Sequence, residues 1–490
     1  MRLSLPFLFA IDVGTSSLKG VIFDQEGKVL GMATQSYAFT SPQPEWAEAD
    51  PHTWWQSLLA VSKQLKQTVQ GLDQINVIAL TGQMHTAVLL DENGEVIPPT
   101  ILWLDRRAIS ETAELQHQFC LPPYHLNSTY TLPKLLWLSR NHPDIVARTH
   151  SLLFAKDFLR YRLTGKLLTD FTEAGGAALL DWNTMRWAKD RLAYTGFSAA
   201  ILPPLCYPTD DAGKLLPEMA KALGISPSTR VLVGAGDVLA LVTGAPAAIG
   251  RLFCSLGSSS MVFYPLIEGQ VFSDPKERIY IYPLLPYPLL GGVSSTSGAA
   301  IQWAYKTLYD ETFAFADAIK EALQTPPGAD NLVFLPFLSG ERSPFWSDSI
   351  RGTLHGLSLT HQRAHILRAV MEGVAFGLRY LIDIFRETGV PLQEIALSGG
   401  GATIPGLAHI IADVCHLPVL VYSGQETVTR GLYAYARQAL DNTPFDQALA
   451  KTFSQPLLIT PDWQHTQKYN DLYEQYCRLA SFISKELIFH

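Results

Sequence analysis

The chain has 490 residues, 47% of them hydrophobic and 17% charged, with a formal net charge of -8 at pH 7. That is enough chain for two large globular domains, and the absence of a basic stripe argues against nucleic acid as a partner. Cys120, Cys206, Cys254, Cys415 and Cys477 are odd in number and lack paired spacing. They therefore indicate neither a disulfide framework nor a zinc site, and they favour a reducing, cytoplasmic setting. No apolar run has the length needed to cross a bilayer.

The apolar start, Leu3 to Ile11, lacks a small-residue cleavage site and reads as a first strand rather than a secretory leader. It opens a hairpin. Strands are expected at Phe7-Ile11, Leu18-Phe23 and Val29-Tyr37, and the turn between the first two carries Asp12, Gly14, Thr15, Ser16 and Ser17. Glycine allows close backbone approach to a ligand, and turn amides with hydroxyls can surround phosphate oxygens. A carboxylate beside them, Asp12, can hold a hydrated metal ion that bridges those oxygens. An ordinary hairpin with a polar turn is the plainer alternative.

A helix is expected from Pro51 to about Thr68, with Asp50 as its N-cap and proline at the first helical position. The strand Ile75-Leu80 ends at Thr81-Gly82-Gln83-Met84-His85. The run Thr100-Leu104 reads as another strand, ending in Asp105-Arg106-Arg107. Open α/β sheets hold ligands at such strand ends, so Met84, His85, Trp103, Asp105 and Arg106 are substrate candidates. His85 also admits a purely structural, hydrogen-bonded role.

Residues 110–230 read as mostly helical, including Leu132-Arg140 and Phe154-Leu163. The strand Val231-Val233 then ends in Gly234-Ala235-Gly236-Asp237, a carboxylate placed either to cap the next helix or to act as a base.

A second hairpin, Arg251 to Tyr264, repeats the plan of the first, with Gly257, Ser258 and Ser259 in its turn. Repetition of this kind predicts two related lobes with a nucleotide gripped between them. A long helix is expected from Thr360 to Glu387. Ile395-Leu397 is a strand that meets Ser398-Gly399-Gly400-Gly401-Ala402, a glycine-rich turn whose lack of side chains suits a nucleotide. Val419-Val421 is a last strand, Gly431-Leu440 a helix, and the tail from Trp463 to Ile488 reads as helical.

With these pieces in place, the chain resembles the FGGY family of carbohydrate kinases. The strongest piece is Gly352-Thr353-Leu354-His355-Gly356-Leu357 followed by His365-Ile366-Leu367-Arg368-Ala369-Val370-Met371-Glu372-Gly373, which looks like the family's C-terminal signature. Thr131-Leu132-Pro133-Lys134-Leu135-Leu136-Trp137-Leu138 is similar to its other signature, with Thr129 off-pattern. The resemblance implies an α/β fold with two actin-like, hexokinase-like (ribonuclease H-like) lobes around a central cleft. One lobe, residues 1–248, would hold the sugar, the first phosphate hairpin and the base. The other, residues 249–490, would hold the second hairpin and the adenine nucleotide.

Within the family the chain resembles xylulose kinases, through Pro44-Glu45-Trp46, Gly82-Gln83-Met84-His85, Ile101-Leu102-Trp103-Leu104-Asp105, Lys156-Asp157-Phe158-Leu159-Arg160 and Ser339-Gly340-Glu341-Arg342. By that likeness Met84, His85, Trp103 and Asp105 would line the sugar pocket, and Asp237 would be the general base. Asp12 would support magnesium, and Gly399, Gly400, Gly401 and Ala402 would carry the nucleotide. Five positions depart from the pattern: Leu104, Val238, Ser260 and the pair Leu432-Tyr433.

The expected reaction is ATP- and Mg2+-dependent phosphorylation of D-xylulose. A kinase for gluconate or ribulose and a non-catalytic actin-like binding module stay open as alternatives. The expected partners are a small sugar and ATP, with no nucleic acid and no membrane; a homodimer is the assembly considered.

Overall fold

A computed structural model describes residues 7–266, 274–282, 289–422, 426–450, 452–453 and 455–486. The ends of the first expected strand (residues 3–6) and of the helical tail (residues 487–488) lie outside them. The chain divides into two compact units, Met1–Ala245 with Glu426–Phe453, and Pro246–Gln425 with Ser454–His490.

The sheet of the first unit is built on β1 (Phe7–Val13), β2 (Ser17–Phe23) and β3 (Val29–Ser36), an antiparallel meander. On its other side β1 pairs in parallel with β4 (Ile75–Gly82). Both faces of β1 are covered, with Leu8, Phe9, Ala10, Ile11 and Val13 all buried, so the strand reads as a nearly unbroken apolar run. Helix α1 (Pro51–Thr68) covers the sheet with Trp54, Trp55, Leu58, Val61 and Leu65, one stripe at helical spacing. Asp50 caps it by accepting the His52 amide at 2.9 Å.

Three further helices of this unit frame the candidate residues: α2 (Thr131–Asn141), α3 (Ala155–Thr164) and α4 (Phe171–Gly176). The sheet is completed by β5 (Asp211–Lys214), β6 (Arg230–Leu232) and the short β7 (Ala235–Gly236). Both β6 and β7 run parallel to β4, and α5 (Asp237–Thr243) follows β7 directly.

The helix Thr427–Asp441 belongs to this first unit although it follows most of the second in sequence. The reason is contact chemistry. Added Cβ atoms at Gly431 and Gly244 would lie 1.9 Å from the carbonyl oxygens of Ala240 and Thr427, so α5 and the returning helix meet backbone to backbone. Tyr435 and Thr243 share a buried hydroxyl contact of 2.8 Å. Tyr433, one of those departures, packs on Phe23 with ring centroids 5.5 Å apart and donates to the Gln25 carbonyl at 2.8 Å.

The second unit repeats the strand plan. β8 (Gly250–Leu256) and β9 (Ser260–Pro265) form an antiparallel hairpin, and β9 pairs with β10 (Leu289–Ser294). Helix α6 (Gly298–Leu308) follows β10. The 25-residue α7 (Arg363–Glu387) is the longest helix among the described residues. β11 (Leu392–Ser398) lies parallel to β8, and α8 (Leu407–Cys415) leads to β12 (Val419–Val421) and the antiparallel β13 (Leu457–Ile459).

The C-terminal signature serves architecture here. Glu372 is fully buried, and its Oε1 accepts from Arg368 at 2.7 Å, the Tyr469 hydroxyl at 2.9 Å and the Gly328 amide at 2.9 Å. Those bonds tie α7 to α9 (Thr466–Glu486), the last helix.

Candidate active site

In the first unit three parallel strands end side by side. The register aligns Asp12 of β1 with Thr81 of β4, and Thr81 with Ala235 of β7. One residue further, Val13, Gly82 and Gly236 align in the same way. Asp12 and Asp237 therefore stand on either side of the β4 end that carries Gln83-Met84-His85, two strand spacings or about 10 Å apart. Parallel strands pointing the same way bring residues 12, 83–85 and 237 to one edge, although they are far apart in sequence.

Asp237 is the first residue of α5, and the cap position is Gly236. The capping alternative is thus set aside. Burial pushes the Asp237 carboxyl up to about 7, the nearby Asp12 charge adds to the rise, and the amides of Val238 and of Asp237 itself oppose it. Asp12 is raised to about 6, mainly by burial, against the pull of Lys19. Lys19 is itself paired with Glu426 at 2.6 Å. The edge therefore holds two carboxyl groups that part with their protons near neutrality.

The first turn is wired to the substrate candidates. Thr15 Oγ1 accepts from Trp103 Nε1 at 2.9 Å and donates to Gln83 Oε1 at 3.1 Å. The Gln83 amide donates to the Val13 carbonyl at 2.8 Å. Gly14 closes the turn through its amide to Ser17 at 2.9 Å, and its carbonyl accepts from the Tyr37 hydroxyl at 2.6 Å. Ser16 at the tip is exposed and Ser17 half-buried.

Met84 and His85 are half-buried. His85 has a left-handed backbone, φ 65°, an uncommon conformation for a residue with a Cβ. Its Nδ1 meets the Gly176 carbonyl and its own carbonyl accepts from Thr131 Oγ1 at 2.9 Å. A carbonyl partner requires the proton on Nδ1, which leaves Nε2 as the acceptor nitrogen of the neutral ring.

The Trp103–Arg106 stretch differs from expectation. The strand stops at Ile101, and a turn closed by the Asp105 amide to the Leu102 carbonyl takes its place. Asp105 is bonded within the protein from two sides. It is fully buried and accepts from the Ala47 amide at 2.6 Å and from Arg107 through Nε, Nη2 and the backbone amide. Arg107, which sequence reasoning passed over, lies 3.7 Å from the Trp46 ring centroid and also pairs with Glu48. Arg106 is half-buried, its amide bonded to the Glu45 carbonyl at 2.9 Å.

In the second unit, the Gly257-Ser258-Ser259 turn and the Gly399-Gly400-Gly401-Ala402 run come together because β8 and β11 are parallel neighbours, with Ser255 opposite Ser398. Gly399 is left-handed at φ 86°, and an added Cβ would lie 2.7 Å from the Leu256 carbonyl; one on Gly401 would lie 1.9 Å from the Leu256 side chain. Gly400 faces open space. The start of α6 braces the turn, with the Gly298 amide to the Gly257 carbonyl at 2.9 Å and the Ser297 amide to the Ser258 carbonyl at 2.8 Å. Ser260, another departure, contacts Ser294 at 2.8 Å, which in turn contacts Ser297 at 2.7 Å. No cluster of three or more His, Cys, Asp or Glu side chains able to hold a metal occurs among the described residues, and none of their helices is long and apolar enough to cross a membrane.

Residues 7–244 match the N-terminal domain of the FGGY family of carbohydrate kinases, and residues 252–439 match its C-terminal domain. The chain is 29% identical over 487 residues to the xylulose kinase of Bacillus subtilis, covering 96% of both. Among solved structures, a ligand-bound xylulose kinase from Lactobacillus acidophilus superposes with a TM-score of 0.90 at 26% identity, over 98% of this chain and 99% of that one. A gluconate kinase from the same organism superposes with a TM-score of 0.89 at 26% identity, over the same shares. Two matched domains spanning most of the sequence, on two sheets of one strand plan, fix the assignment: the chain belongs to the FGGY family of carbohydrate kinases, which transfer phosphate from ATP to an alcohol group of a sugar.

Proposed function

We propose that the chain phosphorylates a ketopentose, D-xylulose, at its terminal hydroxyl, with Asp237 as general base. The observation that carries the reading is the shared strand edge, where a desolvated carboxyl stands beside Met84 and His85 and across β4 from Asp12. A base with a pKa near the working pH is the most effective kind, and such a group contributes roughly 10²–10⁴-fold in rate. Asp237 would take the proton of the attacking hydroxyl as that oxygen bonds to the γ-phosphorus and the bond to the β-phosphate oxygen breaks, releasing ADP. His85 Nε2, Gln83 and Trp103 supply the polar groups and the aromatic wall that fix which hydroxyl is presented.

The donor chemistry at Asp12 fits Mg2+, which is commonly held by one or two carboxylates together with phosphate oxygens. When bound it would neutralise charge on the phosphates. The Gly257–Ser259 turn and the Gly399–Ala402 run are the proposed phosphate and adenine contacts, and Arg106 a substrate contact. Five unpaired cysteines support a cytoplasmic setting. The scheme draws on residues of one chain, so it does not depend on a homodimer.

The named likeness to a gluconate kinase favours a sugar acid as the second reading. A panel of D-xylulose, D-ribulose, L-ribulose and D-gluconate, with ADP release measured at fixed ATP, separates the two. Xylulose should show the highest kcat/KM; a higher value for gluconate would replace the ketopentose assignment.

A further inference from the structure

Behind the strand edge lies a buried ion cluster that the phosphoryl-transfer scheme does not use. Lys156 Nζ contacts Asp157 Oδ1 at 2.6 Å and Asp170 Oδ1 at 2.8 Å. Arg160 Nη2 contacts Asp157 Oδ1 at 3.1 Å and the Leu168 carbonyl, and Thr169 Oγ1 donates to Asp157 Oδ2 at 2.6 Å. All four charged side chains are fully buried. Glu173, equally buried, is held well above the usual carboxylate range by desolvation. A buried set of this kind is weak evidence for stability, because desolvation offsets most of its attraction. What it fixes is geometry.

The geometry leads to Asp237. Asp170 Oδ2 accepts from the Thr172 amide at 2.8 Å and also meets the Thr172 hydroxyl. Thr172 Oγ1 in turn accepts the Gly236 amide at 2.8 Å, the residue immediately before Asp237. Met84 is clamped from the same side, since a Cβ on Gly236 would lie 2.6 Å from its Cγ and one on Gly176 would lie 2.7 Å from its Cε. The last residue of α4 also carries the carbonyl that meets His85 Nδ1. One six-residue helix thus touches the chain before the carboxylate with its first turn, and Met84 and His85 with its last.

We propose that Thr172 is a positioning residue for the reaction. Anchored by Asp170 and Lys156, it sets the peptide that aims the Asp237 carboxylate, and α4 sets the spacing between that carboxylate and the sugar contacts. The inference rests on Asp237 as base. Misplacement of a reacting group by about 1 Å costs roughly 10²-fold, which gives the scale of the effect.

The test is Thr172→Val, which keeps the shape and removes both hydrogen bonds, measured beside Thr172→Ser and Asp237→Asn. Thr172→Val should lower kcat by roughly 10- to 100-fold with the Kd for D-xylulose changed by less than about threefold, and Thr172→Ser should restore kcat to within about threefold. Thr172→Ala, which adds no bulk beside the Gly236 amide, carries the same expectation should the valine variant not fold. Unchanged kcat in folded Thr172→Val or Thr172→Ala, or a serine variant as impaired as valine, overturns the proposal. An inactive Asp237→Asn with fully active Thr172→Val refutes the positioning role alone, whereas an active Asp237→Asn removes the base on which it rests.

Discussion

The two hairpins, β1–β2 and β8–β9, occupy the same place in sheets of the same plan and yet are finished differently. The first carries a carboxylate and joins its turn to distant side chains through Thr15, Gln83 and Trp103. The second carries hydroxyls and glycines, and backbone amides at the start of α6 brace its turn. One strand plan thus supports two solutions. The first turn is charged and held by side chains, so its chemistry depends on what each side chain is. The second is neutral and held by backbone amides together with the Ser260–Ser294–Ser297 hydroxyls at its base, and its glycine neighbours matter for the side chains they lack.

Charge substitutions should expose the contrast most strongly. Asp237→Asn should reduce kcat by roughly 10²–10⁴-fold while the Kd for sugar, read by calorimetry, stays within about threefold. In the second turn, Ser258→Ala removes one exposed hydroxyl and should raise the KM for ATP by only about 3- to 10-fold, the scale of one lost hydrogen bond. Equal losses from the two substitutions would erase the distinction between a reacting group and a cradle.

Bulk should act in the opposite sense. Gly401→Ala sets a methyl against the packed Leu256 side chain and should destabilise the second unit by about 1–3 kcal/mol. Gly400→Ala, one residue earlier and facing open space, should stay within about 0.5 kcal/mol. Denaturant titration of the pair checks the difference. If Gly401→Ala is as mild as Gly400→Ala, close backbone approach is not what the glycine run provides.

The sequence foretold these regions unequally, for physical reasons. Strands with both faces buried and the capped helix α1 announce themselves locally, and most expected boundaries there fall within about two residues of the observed ones. The run Thr100-Leu104 reads as strand because it is apolar, yet the strand stops at Ile101; the Asp105–Arg107 pair that bends the chain is a contact, not a period. Helix α4 lies in the stretch 110–230 that reads only as mostly helical, and its bounds are set by the Asp170 cap, with Gly175 and Gly176 in its last turn. The bond from Gly236 to Thr172 spans 64 residues, and the return of Thr427–Asp441 to the first unit is longer still; no local pattern encodes either.

The smallest effect expected is on stability against pH, and it separates the hairpins through their neighbours. Asp237 binds its proton more tightly folded, at about 7, than unfolded near 4. Its contribution is therefore fully present below pH 4 and is lost as pH rises through 7, because the ionised carboxylate sits where water is scarce. Asp237→Asn removes that loss. Measured without divalent cations, the variant should match the parent at pH 4 and exceed it at pH 8. A half-buried carboxyl returns on the order of 1 kcal/mol, or about 2–4 °C in Tm for a unit of this size. Ser258→Ala, which changes no titratable group, should leave the difference between pH 4 and pH 8 untouched. A parent protein whose Tm rises from pH 5 to pH 8 while Asp237→Asn gains nothing would mean that the carboxyl is already well hydrated, and that the strand edge across β4 from the first hairpin lacks the desolvation on which the base assignment depends.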